Sequence, residues 1–127
     1  MNKPCPESPY KGKTGLRRVW NALGYSINGF ALAYRHESAF RQEVVLTLIL
    51  IPVSLLLSAS GTGHALMVGS VLLVLLVELL NSAIEATVDR ISLEDHLLAK
   101  RAKDIGSAAV LVSLVNVAST WALVLIF

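Results

Sequence analysis

Five residues able to do chemistry fall on one helical face. At 100° per residue, Glu78, Asn81, Ser82, Glu85 and Asp89 lie at about 0°, −60°, 40°, −20° and 20°, so three carboxylates form a stripe. The stripe sits in an otherwise apolar run that begins near Ala65. Counting about 1.5 Å per residue from Ala65, Glu78 is about 20 Å along and Glu85 about 30 Å, the thickness of a hydrocarbon core. Glu78 is thus expected inside one leaflet and Glu85 at its boundary. A carboxylate at such depth costs roughly 3 kcal/mol on insertion scales, so it is functional or partnered. At the depth of lipid hydroxyls the first could accept a proton, while the second, closer to water, could hold a metal ion. The plainer alternatives are a Glu78 that only bonds helix to helix, and a Glu85 and Asp89 that are only solvated.

Further charge flanks this stripe. Lys100, Arg101, Lys103 and Asp104 follow it, and Glu37, Arg41 and Glu43 precede the first long apolar run. Cations beside acids suit a magnesium nucleotide, because phosphates need positive charge and the metal needs oxygen ligands. A patch that only bound anionic lipid would use the cations but not the acids. Familiar nucleotide motifs are missing: Gly12-Lys13-Thr14 imitates the end of a phosphate loop, but its first glycine would fall at Glu7. Gly61-Thr62-Gly63 lacks a third glycine. His36, His64 and His96 have no metal-ligand spacing and read as polar surface residues, and Cys5, the single cysteine, reads as an idle thiol.

The elements that must position these groups follow from hydropathy. With 54% hydrophobic and 16% charged residues, the 127-residue chain is too apolar for an ordinary soluble globule or a disordered segment. A net charge of +2 argues against a nucleic-acid binder with a broad basic face. No Asp, Glu, Lys or Arg occurs from Val44 to Val77 or from Ile105 to Phe127. These gaps predict three membrane helices, at about 42–59, 65–90 and 105–127, with Ser58–His64 as the first turn and Pro52 loosening the first helix. Nothing before Val44 looks like a signal-peptide core, so the first helix is expected to be retained. Seven of the 11 Lys and Arg precede it, four lie between the second and third, and the first turn has none. The positive-inside rule then puts the N-terminus and second loop in the cytoplasm. Before the first span, Leu16, Trp20, Leu23, Ile27, Phe30 and Tyr34 recur at intervals of three or four, predicting an amphipathic surface helix over about 15–34. Gly24 and Gly29 could break it or admit close packing.

Three blocks go further: Ala39-Phe-Arg-Gln-Glu43, Val77-Glu-Leu-Leu-Asn-Ser-Ala-Ile-Glu-Ala-Thr-Val-Asp-Arg-Ile91 and Ala102-Lys-Asp-Ile-Gly-Ser-Ala-Ala-Val-Leu111. They closely resemble the bacterial integral-membrane diacylglycerol kinases, and the likeness runs from about Gly15 to Phe127. The resemblance implies an all-α membrane protein: a homotrimer of subunits, each with three transmembrane helices and a surface helix, in the bacterial inner membrane. It would form one kinase domain over 15–127 behind a mobile tail at 1–14. Its activity would be transfer of the γ-phosphate of MgATP to the hydroxyl of diacylglycerol. Carried over by position, Glu78 resembles the general base, and Glu37 and Glu85 the Mg²⁺-binding acids, which also contact the nucleotide. Arg18, Tyr25, Glu94, Asp95, His96, Lys103 and Asp104 resemble further ATP contacts. Ala39, Phe40, Arg41, Gln42, Glu43, Ser107 and Trp121, together with Glu78, resemble the lipid site, and Asn81 an active-site polar residue. Asn21 stands where related enzymes can have a lysine, so no phosphate contact is assigned to it.

Three other readings share some of these features. A related undecaprenol kinase has the Glu-Leu-Leu-Asn core but lacks Phe40-Arg-Gln-Glu43. A non-catalytic membrane oligomer would leave Glu78 and the loop acids unexplained. An ion or proton channel could use Glu78 as a relay but has no need of Glu37 or the Lys103-Asp104 pair.

Overall fold

The computed structural model describes residues 15–91 and 96–127, and consists of four helices in chain order: α1 (Leu16–His36), α2 (Ser38–Leu56), α3 (Gly61–Ile91) and α4 (Leu97–Ile126). The expectations placed on residues 1–14, including Cys5 and Gly12-Lys13-Thr14, and on Glu94 and Asp95 lie outside the described residues. The chain divides into two compact units, Met1–Leu32 and Ala33–Phe127.

The described part of the first unit is the helical stretch that opens α1. Its apolar positions from Leu16 to Phe30 recur at helical spacing, and Leu16, Trp20, Leu23, Ile27 and Phe30 all stand exposed. The helix runs unbroken through Gly24 and Gly29, so the break expected there does not occur, and among the described residues a Cβ at either would meet nothing within 4 Å.

The second unit holds α2, α3 and α4, each long and apolar enough to cross a membrane. This is a membrane protein, all-α in its described residues. Glu37 has extended φ and ψ of −107° and 114° and separates α1 from α2. Pro52 lies inside α2, one turn before its end, where it removes the donor that Leu48 O would otherwise accept; Leu57 N–H closes on Val53 O at 3.2 Å.

α2 runs from Ser38 to Leu56 and not over about 42–59, and two further helix starts differ from the hydropathy reading for one shared reason. α3 begins at Gly61 instead of near 65, because Ser60 Oγ accepts the Gly63 N–H at 3.0 Å and Ser60 O accepts the His64 N–H at 2.9 Å. α4 begins at Leu97 instead of near 105, because His96 Nδ1 accepts the Leu98 N–H at 3.2 Å. Local capping starts a helix wherever a side chain can satisfy a free N–H, whatever the hydropathy of the turn that follows. Lys100, Arg101, Lys103 and Asp104 therefore stand on the opening turns of α4 and not in a loop. At 31 and 30 residues, α3 and α4 run about 45 Å, longer than the roughly 30 Å hydrocarbon core, so their charged ends reach past it.

α3 packs against both α2 and α4. Its buried residues, Gly63, Met67, Ser70, Val71, Val74, Glu78 and Asn81, follow the three-and-four spacing of one face. Against them lie Phe40, Glu43, Thr47 and Ser54 of α2, and Gly106 and Ser113 of α4. Six of these thirteen are glycine, serine or threonine, as expected where lipid removes the hydrophobic drive and close backbone packing replaces it. Ser54, Ser70 and Ser113 each donate to the carbonyl three residues earlier, at 2.7, 2.8 and 2.7 Å, so none leaves an unmet hydroxyl.

Candidate active site

The stripe on α3 is graded by burial. Glu78 is 4% exposed and Asn81 9%, Ser82 and Glu85 are half-buried, and the Asp89 side chain is 48% exposed. One helix thus carries a series of polar groups from the protein interior to its rim. Asn81 Nδ2 donates to Glu85 Oε1 at 3.3 Å, one turn later. Because a carboxylate only accepts, this bond fixes which way the amide points. Asn81 Oδ1 then faces α4 at Gly106, where a Cβ would collide with it.

α2 adds two acids. Glu43 is buried at the α3 interface, and Glu37 stands at the helix N-cap without using its side chain as a cap, so that its carboxylate stays available. The charges of Glu37 and Glu85 both act on Glu78, and Glu78 in turn acts on Glu43, so four carboxylates from two helices lie within electrostatic reach of one position. α4 adds a cation: Lys103 Nζ pairs with Asp89 Oδ1 at 2.5 Å and also feels Glu85. That is the one ion pair among the described residues, and it leaves Glu37, Glu43, Glu78 and Glu85 without a paired cation there.

Buried polar side-chain atoms without a partner are the second mark of this region. Glu43 Oε2, Asn81 Oδ1 and Ser82 Oγ are three of the four such atoms among the described residues, the other being His64 Nδ1. Leaving a buried acceptor unmet costs about 1–3 kcal/mol, which makes these atoms candidates to meet a ligand.

Several residues singled out from the sequence sit elsewhere or have a different task. Arg41 Nη1 donates to the carbonyls of Tyr34 and Arg35 at 3.0 and 3.1 Å, closing the C-terminal end of α1. Phe40, 1% exposed, is among the core residues of α2, while Ala39 and Gln42 are exposed. His96, read as a surface histidine, is the cap of α4. Asp104 and Ser107 are exposed on α4. Trp121 Nε1 donates to Met67 O at 3.3 Å, and Met67 lies eleven residues before Glu78 on α3, about 16 Å along the axis. Within one chain, then, Trp121 does not join the acidic cluster. Arg18 and Tyr25 are on the helix of the first unit.

Residues 24–125, which take in α1 from Gly24 onward, both flanks of the stripe, α2, α3 and nearly all of α4, match the family described as prokaryotic diacylglycerol kinase. The chain belongs to that family. It is similar to the diacylglycerol kinase of Pseudomonas aeruginosa, at 59% identity over 119 residues that cover 94% of this chain and 97% of the relative. It is similar also to the diacylglycerol kinase of Escherichia coli, at 46% over 112 residues covering 88% and 92%, and to that of Haemophilus influenzae, at 46% over 114 residues covering 90% and 97%. Membership in the prokaryotic diacylglycerol kinase family makes this a membrane kinase.

The sequence does not single out Gly106, although the resemblance points to its neighbour Ser107. A glycine in an apolar helix gives no chemical signal by itself, and its contact with Asn81 depends on the register of α4 against α3. The burial of Glu43 is equally hidden, since an acid just before an apolar run carries no sign of which helix it packs on.

Proposed function

We propose that this protein transfers the γ-phosphate of MgATP to the hydroxyl of diacylglycerol, giving phosphatidic acid and ADP. The observation that carries the reading is the graded stripe: one helix takes carboxylates from a buried position, through a half-buried one, to an exposed rim. A lipid hydroxyl is reached from the buried end and a water-borne nucleotide from the exposed end.

In this reading Glu78 is the general base. The substrate oxygen attacks the γ-phosphorus, the bond from phosphorus to the bridging oxygen of ADP breaks, and the hydroxyl proton passes to the Glu78 carboxylate. Burial keeps Glu78 away from bulk water, which limits loss of phosphate to water in place of lipid. Asn81 orients Glu85 through its amide donor. Glu43, with the rest of Ala39–Glu43 and Ser107, borders the lipid end, and Phe40 from the core sets the position of that segment. Trp121 would reach the lipid of a neighbouring subunit or contact its acyl chains.

Mg²⁺ in phosphoryl-transfer sites keeps waters and binds through one or two carboxylates plus substrate phosphates, so a complete protein cage is not needed. Glu37 and Glu85 fit that demand, as oxygen donors without a paired cation among the described residues. The ion would neutralise charge on the transferring phosphate. For nucleotide contacts the support is resemblance by position alone, which points to Arg18, Tyr25, Glu94, Asp95, His96, Lys103 and Asp104. The positive-inside pattern supports a cytoplasmic N-terminus and α3–α4 connection, in the inner membrane of a bacterium. Three helices cannot enclose such a site alone, which supports a homotrimer with sites at subunit boundaries, while exposed apolar residues such as Leu55, Leu56, Leu111 and Val112 are satisfied by lipid as well as by a neighbour.

The test is transfer of labelled phosphate from ATP, with Mg²⁺, to a panel of lipid alcohols in mixed micelles. Diacylglycerol should be phosphorylated rapidly, monoacylglycerol more weakly and undecaprenol poorly. Preference for undecaprenol would overturn the substrate assignment while leaving lipid kinase chemistry standing, and no transfer to any lipid would overturn both.

A further inference from the structure

The contact between α3 and α4 at Gly106 has the geometry of a device for setting side-chain orientation. Gly106 is buried, and a Cβ built on it would overlap Asn81 Oδ1 and lie 3.3 Å from Asn81 Cγ. The obstacle is the short, buried amide of Asn81, whose other end is held by the bond from Nδ2 to Glu85 Oε1. To clear an added methyl, Asn81 must turn about its χ angles, and turning carries Nδ2 away from Glu85. Exchanging the ends of the amide is no escape, because Oδ1 would then face the Glu85 carboxylate, acceptor against acceptor.

We infer that Gly106 is a positioning residue of the phosphotransfer site: its missing side chain holds the Asn81 amide in the one orientation that donates to Glu85, and so fixes the Glu85 carboxylate on the nucleotide side. The inference rests on the proposed role of Glu85. Gly106 touches no substrate in this scheme, and acts through Asn81 alone.

A contrast on the same two helices separates this role from plain packing. At Gly63 of α3 an added Cβ would come within 2.9 Å of Val124 Cγ1 of α4, 3.3 Å of Ala59 Cβ and 3.4 Å of Ser60 Oγ, none of which belongs to the acidic stripe. Gly63→Ala and Gly106→Ala both crowd the α3–α4 interface, but only the second pushes on the amide that holds Glu85.

The experiment is a double-mutant cycle between Gly106→Ala and Asn81→Ala, with Gly63→Ala as the packing control. It reads the KM for MgATP, the Mg²⁺ requirement and kcat, alongside unfolding midpoints in detergent. Loss of an orienting partner behind a metal-binding group costs about 10–100-fold in metal affinity or activity. Gly106→Ala should therefore raise the MgATP and Mg²⁺ requirements by roughly tenfold or more, whereas Gly63→Ala should leave both unchanged. In the Asn81→Ala background, where the methyl meets no amide, adding Gly106→Ala should cost little further. Equal fold-losses from Gly106→Ala with and without Asn81, or a loss confined to the unfolding midpoint, would overturn the inference while the kinase reading stood. Should Gly106→Ala fail to assemble, the comparison of Asn81→Ala with the double variant decides: recovery of assembly upon removing the amide supports the collision, and continued failure refutes it. An unaltered chain without lipid kinase activity would instead remove the functional reading on which the inference rests.

Discussion

The two ends of the α2–α3–α4 unit are built from similar small residues but differ in what they leave unmet. At the end that carries Gly63 and Met67, Met67 is fully buried and its carbonyl accepts from both Ser70 Oγ at 2.8 Å and Trp121 Nε1 at 3.3 Å. At the end that carries Glu78, Glu43 Oε2, Asn81 Oδ1 and Ser82 Oγ are buried without partners, and acids outnumber cations within reach. His64 Nδ1 is the single comparable atom at the first end. Packing at one end stabilises the unit; at the other, unmet polar groups are tolerated at a cost in stability, as expected where a ligand supplies the missing partners.

The contrast breaks first at Glu78. Glu78→Gln keeps shape and some hydrogen bonding but cannot accept the substrate proton, so lipid phosphorylation should fall about 10²–10⁴-fold, measured as an initial rate in micelles, while assembly persists. Next are Glu37→Ala and Glu85→Ala. Either should weaken nucleotide binding at least roughly tenfold in Mg²⁺, followed by equilibrium titration, whereas Glu78→Gln should not; equal affinity in all three variants would contradict the division between metal acids and base. At the other end, Met67→Ala should lower stability by about 2 kcal/mol or more through the cavity it opens, seen in the unfolding midpoint, without altering the KM for MgATP. Arg41→Ala removes both donors from the end of α1 and should cost about 1 kcal/mol. Because the Ala39–Glu43 segment is assigned to the lipid end, the KM for diacylglycerol should rise as well, and a change in stability alone would make the role of Arg41 structural. The smallest effect belongs to Asp89→Asn. Its pair with Lys103 is partly solvated on both sides, so stability should change by less than about 1 kcal/mol, and the difference should shrink further in high salt.

Much of the fold is legible in the sequence because lipid imposes it: charge-free stretches of membrane length predict the three spans that α2, α3 and α4 supply. The order of burial from Glu78 to Asp89 is also legible, since 100° per residue puts all three carboxylates on one face and depth follows from rise per residue. Hydropathy does not show where helices start. Ser60 and His96 cap α3 and α4 through single hydrogen bonds, which extend helix into turns too polar to read as membrane segments. Contacts between helices are hidden for a different reason: the meeting of Asn81 with Gly106, or of Trp121 with Met67, depends on a register that no local pattern encodes.

One paired measurement tests the division between the two ends most directly: the rate of phosphate transfer to diacylglycerol and the unfolding midpoint, both determined for Glu78→Gln and for Met67→Ala. Glu78→Gln should retain the midpoint and lose at least about 99% of the rate, and Met67→Ala should lose midpoint while its folded fraction turns over at the normal rate. A Glu78→Gln protein that keeps more than about a tenth of the original rate, well above the loss of a general base, would make Glu78 a structural residue and contradict the account.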